Sequence, residues 1–142
     1  MTVALGIVAL FVGSVVLVGQ LVSGTDFSLA QRLGLQERDE GSDALHRRLE
    51  LSTARWDLLV LWSLPLAGVA MLIDASWWPW VALIAGGICV DAGGREAAKV
   101  LGLIAQRIRV GSRRERRNLF GLFALLVAVG LALIAHSLVV LA

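Results

Sequence analysis

The sequence predicts an all-α integral membrane protein. The expected architecture is a four-helix bundle with a cytoplasmic juxtamembrane amphipathic helix between spans one and two. Three observations carry that prediction. The chain is 58% hydrophobic, against roughly 45–50% for a soluble domain, and its mean hydropathy is +0.80. The apolar residues gather into four stretches, with polar segments between them. The arginines fall almost entirely in two of those segments, which is the charge asymmetry of a multi-pass topology. The length fits a single transmembrane domain, residues 1–142.

The first span is residues 2–22. It has no Lys or Arg ahead of its apolar run and is long enough to cross a bilayer, so it reads as a retained helix rather than a cleaved signal. Gly6, Gly13 and Gln20 recur every seven residues and share one stripe. Ala9 and Gly13 form a small-xxx-small pair, which lets helices approach closely in lipid.

Between spans one and two, Phe27, Ala30 and Leu33 fall at helical spacing, with Asp26 or Ser28 placed to cap. That is the expected surface helix. Ser42 or Asp43 then caps a further helix, with Leu45 and Leu49 on one face and His46, Arg47, Arg48 and Glu50 around the rest. It should run directly into the second span.

The second span is residues 57–73. Trp56 and Trp62 near its start suit an interfacial aromatic belt, and Pro65 predicts a kink. Asp74-Ala75-Ser76 is a tight turn that returns the chain antiparallel. The third span is residues 77–105, opened by Trp77, Trp78, Pro79 and Trp80. The fourth is residues 118–140, with Gly121, Ala124, Ala128, Ala132 and His136 along it.

Arg32, Arg38, Arg47, Arg48 and Arg55 lie in the first connection. Arg107, Arg109 and the cluster Arg113, Arg114, Arg116, Arg117 lie in the third. The Asp74 turn carries no Lys or Arg. The positive-inside rule therefore puts both long connections in the cytoplasm and both termini outside, in a cell membrane. The terminal arginine cluster is placed to hold anionic lipid headgroups.

The third span holds the candidate site. Asp91, Arg95, Glu96 and Lys99 are set into an apolar helix, and a charge deep in a bilayer costs roughly 2.5–3.5 kcal/mol on the lenient scale. Asp91 and Arg95 can pair at i,i+4. Gly87, Asp91, Gly94, Arg95, Ala98 and Gly102 share one face of about 100°, from which Glu96 points away. The repeat Ala85-Gly86-Gly87 and Ala92-Gly93-Gly94 marks Gly86, Gly87, Gly93 and Gly94 as helix-packing positions. A polar intramembrane site is expected from Asp91, Arg95, Glu96, Lys99 and Gln20. His136 is expected near the Trp77–Trp80 turn.

No phosphate loop, HExxH, CxxC or GxSxG occurs, and Cys89 is the single cysteine. No catalytic residue, metal or cofactor is expected, and a basic run without stacking aromatics does not suit nucleic acid. The sequence favours a non-enzymatic membrane subunit that self-associates or joins a larger membrane complex. A small ion or solute transporter or channel around Asp91 and Arg95 comes second. An intramembrane enzyme on a lipid-like substrate comes third.

Overall fold

The computed structural model describes residues 1–35 and 43–142. Arg38 and the alternative cap Ser42 lie outside the described residues. The rest is helical: α1 Thr2–Thr25, α2 Phe27–Arg32, α3 Ala44–Val60, α4 Ser63–Leu72, α5 Trp78–Ala105 and α6 Arg113–Leu141, with no strand among the described residues. Three helices are long and apolar enough to cross a membrane: α1, the joined α3–α4 rod and α6. Helix α5 is long but is not among them, because charged residues occupy its second half.

Helix α1 packs on α4 and α3, α4 on α5, and α5 on α6, while α1 and α6 touch sparingly. The α1–α4 contact is made by the small stripe. A Cβ on Gly13 would sit 2.6 Å from the Pro65 ring, and one on Gly68 would sit 2.5 Å from the Leu10 amide nitrogen. Ala9 between them is fully buried.

Pro65 shapes the α3–α4 rod. Without an N–H it leaves the carbonyl four residues back without its helical donor. The break falls there: Leu61 O takes the Leu64 N–H at 3.1 Å. Nearby carbonyls also find donors, with Ser63 Oγ donating to Val60 O and Trp62 Nε1 donating to Leu59 O, both at 2.8 Å. Trp62 is about 15 Å along the rod from Leu72.

Three helices end on left-handed residues. Gly34 (φ 72°) closes α2, with Gly34 N–H on Gln31 O and Leu35 N–H on Ala30 O. Asp74 (φ 51°) forms the expected tight turn after α4. Arg107 (φ 60°) ends α5 with the same pair of bonds, to Ile104 O and Leu103 O. Asp26 caps α2 by accepting from Leu29 N–H at 2.9 Å, and that bond holds its carboxyl below the ordinary value. Asp43 caps α3.

The two ends of the fold differ. At one, Thr2 Oγ1 and His136 Nε2 are hydrogen-bonded at 2.8 Å, and Trp78 stacks on the His136 ring with centroids 5.3 Å apart. At the other, the Asp43 N–H donates to Arg109 O at 3.2 Å, so the two arginine-bearing connections meet. The four arginines form the first turns of α6. Positive charge is unfavourable at a helix N-terminus, and the Ser112–Glu115 capping box counters it.

Candidate functional site

Where α1, α3 and α5 meet, the polar side chains join into one network. Its centre is Asp57, 2% exposed, on α3. Gln20 Nε2 donates to Asp57 Oδ2 at 3.1 Å, and Arg95 Nη2 to Oδ1 at 2.9 Å. Arg95 also reaches Asp91 at 3.4 Å and Glu96 at 3.6 Å. Lys99 pairs with Glu96, and with Glu50 at 2.8 Å, and donates to Thr53 Oγ1 at 3.3 Å. His46 Nδ1 lies 3.8 Å from Glu50. The network sits between two apolar clusters, one holding Leu61, Cys89 and Leu126 and the other Val100, Leu103 and Phe123. A buried charge is tolerable only when paired, and each cation here serves more than one carboxylate.

The sequence expectation places Arg95, Glu96, Lys99 and Gln20 together, and all four belong to this network. One part of that expectation is corrected. Asp91 faces outward, its side chain 68% exposed, and touches the network only through Arg95. Glu96, on the other side of the helix from the Asp91 face, is buried. The reason is the rotation of α5 set by its glycines. A Cβ on Gly86 would sit 2.7 Å from Gly130 O, and one on Gly93 2.6 Å from Phe123 O. Gly86 and Gly93 therefore face α6. Gly87 and Gly94, expected to pack, meet nothing within 4 Å. The whole face Gly87, Asp91, Gly94, Ala98, Gly102 is exposed.

On α3 the leucine face is divided: Leu45 is exposed, while Leu49 is half-buried against the cluster of Val100, Leu103 and Phe123, and His46 is fully buried. His46, Glu50, Thr53 and Asp57 lie on one stripe at i, i+4, i+7 and i+11. That spacing is the signal by which Asp57 and Glu50 were findable; sequence reasoning treated Asp57 only as a span boundary. On α6 the Ala124, Ala128 and Ala132 stripe is exposed, while Phe123, Leu126, Gly130 and Leu133 make the contact.

Beside the network lies a cavity of about 310 Å³ in the seam between α1 and α6. Val15, Val16, Leu122 and Leu126 form apolar walls, and Asp57 and Glu96 line its polar end. A second groove in the same seam, of about 470 Å³, is apolar apart from His136. Among the described residues no group of three His, Cys, Asp or Glu could hold a metal ion.

Comparison with family models, with curated proteins and with solved structures gives no match. The functional reading therefore rests on the geometry alone.

Proposed function

We propose that this chain is a non-enzymatic, four-span membrane protein that assembles with a second copy of itself through the outward face of α5. One observation carries the reading: Asp91 is 68% exposed beside Gly87, Gly94, Ala98 and Gly102, on a face whose exposed large residues are Ile84 and Leu101. Depth makes that face unsuited to lipid. The Thr2, Trp78 and His136 contacts mark one boundary. Along α6, Arg117 is about 28 Å from His136, close to the ~30 Å of a hydrocarbon core. Asp91 is about 20 Å from Trp78 along α5, hence well inside the layer. Its short side chain cannot snorkel out, and lipid offers it no hydrogen bond. Another α5 offers Arg95 and a glycine surface, the kind of surface on which helices associate in lipid.

In this reading α5 also crosses the membrane, as the third span in chain order. Its charges leave it too polar to cross alone, and the neighbours that cover them make the crossing possible. The joined arginine connections lie in the cytoplasm of a cell membrane, with both termini outside. Arg113, Arg114, Arg116 and Arg117 sit among anionic headgroups.

The test is co-purification of two differently tagged copies from one membrane. Assembly predicts that each tag recovers the other, and that Gly94→Leu reduces the recovery. Monomer alone, or recovery of an unrelated membrane protein without the second tag, contradicts self-assembly. Solute passage is the second reading, favoured by the cavity at Asp57 and Glu96. Liposome flux unchanged in both Asp57→Asn and Asp91→Asn removes it.

A further inference from the structure

We propose that the cavity between α1 and α6 binds a small amphipathic cation: an organic ammonium or guanidinium carrying an apolar body. The inference is independent of self-assembly, which concerns the opposite side of α5.

Charge complementarity identifies the occupant. Among the described residues, Glu50, Asp57, Glu96 and Glu115 line the cavity and no Lys or Arg does. Arg95 and Lys99 hold some of these carboxylates without lining it. Of the network carboxylates, Glu50, Asp57 and Glu96 line the cavity and stand against Arg95 and Lys99, and Arg95 is shared with Asp91 on the outward face. Among these described groups three negative charges less two positive leave an excess of one, which His46 beside Glu50 offsets only when protonated. An anion entering this space meets like charge in a low dielectric, and a neutral molecule leaves the excess unanswered. A cation answers it.

The walls require the apolar body. Val15, Val16, Leu119, Leu122 and Leu126 line the same space. The volume, about 310 Å³, is at the small end of ligand sites. Gly19 adds a separate observation. It lines the cavity, and a Cβ there would meet nothing within 4 Å. A helical glycine costs about 1 kcal/mol against alanine. Gly6 and Gly13 on the same helix are explained by close contact with α4. Gly19 has no such contact, and what it provides is room. The occupant reaches the cavity through the sparsely packed α1–α6 seam.

The experiment uses the full chain in lipid nanodiscs and three probes of one shape. These are benzyltrimethylammonium, its uncharged isostere neopentylbenzene, and the anion phenylmethanesulfonate. Saturable binding is titrated on the wild type, on Gly19→Trp, which fills the cavity, and on Glu96→Gln, which removes a lining charge. The expected result is cation binding at least tenfold tighter than that of either other probe. It is lost in Gly19→Trp and weakened at least tenfold in Glu96→Gln. Equal binding of the neutral isostere marks a lipid-tail groove and overturns the proposal. So does unchanged cation binding in Gly19→Trp, or no saturable cation binding to the wild type. If Gly19→Trp fails to fold, the isostere comparison and Glu96→Gln decide alone.

Discussion

Arg95 on α5 donates to Asp57 on α3 at 2.9 Å, and Asp57 is nearly sealed from solvent while Arg95 is only half-buried. The pair joins the two helices at the level where Gln20 brings in α1. Removing the cation strands the acid, whereas removing the acid leaves Arg95 with Asp91 and Glu96. Arg95→Met is therefore expected to lower stability by about 3–5 kcal/mol, the cost of breaking a buried pair from one side. Asp57→Leu should cost less, and Asp57→Leu with Arg95→Met should recover much of the loss. Unfolding by SDS in mixed micelles measures all three, and equal losses in the two single variants would refute the asymmetry.

The adjacent glycines of α5 should separate folding from assembly. Gly93→Ala drives a methyl group into the Phe123 carbonyl, which is backbone and cannot step aside. An overpacked site costs about 1–3 kcal/mol, so this variant loses fold stability. A Cβ at Gly94 meets nothing within 4 Å, so Gly94→Leu starts into open space. It is expected to keep the fold and lose the recovery of a second copy. Unfolding and co-purification on the same samples check the split.

Arg107 ends α5 in a conformation that suits glycine. Its φ of 60° forces a Cβ against the following carbonyl, at about 1–2 kcal/mol for an L-residue. Arg107→Gly is expected to raise stability by about 1 kcal/mol, read from the same SDS unfolding. A loss of stability would show that the arginine side chain contributes more than the backbone costs.

The Asp26 cap predicts a pH response outside the apolar layer. The Leu29 N–H bond holds its folded pKa below the ordinary 3.8. The cap therefore contributes fully above that value and is lost as pH falls through the lower folded value. The Leu29 amide chemical shift should titrate with a midpoint below 3.8, and in Asp26→Asn the titration should vanish. A midpoint above 3.8 would contradict the cap.

Much of the fold was legible because lipid-facing and packing residues leave strong patterns. Helix lengths, the Asp74 turn, the Asp26 and Asp43 caps and the Gly6–Ala9–Gly13 stripe all follow from local sequence. Helix rotation was not legible. Gly86-Gly87 and Gly93-Gly94 offer two glycine faces, and only the partner carbonyls of Gly130 and Phe123 decide which one turns inward. Asp57 was passed over for a related reason. Read alone it marks the start of an apolar run, and its role emerges only with His46, Glu50 and Thr53 on one stripe. On α3, Leu49 packs on the apolar cluster while Leu45 stays exposed, and the stripe of His46, Glu50, Thr53 and Asp57 supplies the polar contacts to α1 and α5.

The most direct test of the central claim is a cysteine scan along α5 in native membranes, in a Cys89→Ala background. Gly87→Cys, Gly94→Cys and Ala98→Cys are expected to form disulfide-linked dimers on mild oxidation. Phe11→Cys on α1 and Leu131→Cys on α6, likewise exposed but apolar in setting, should remain monomeric. Dimers at Phe11 or Leu131 in equal yield, or none at Gly87, Gly94 and Ala98, would show that no second copy covers the face on which Asp91 stands.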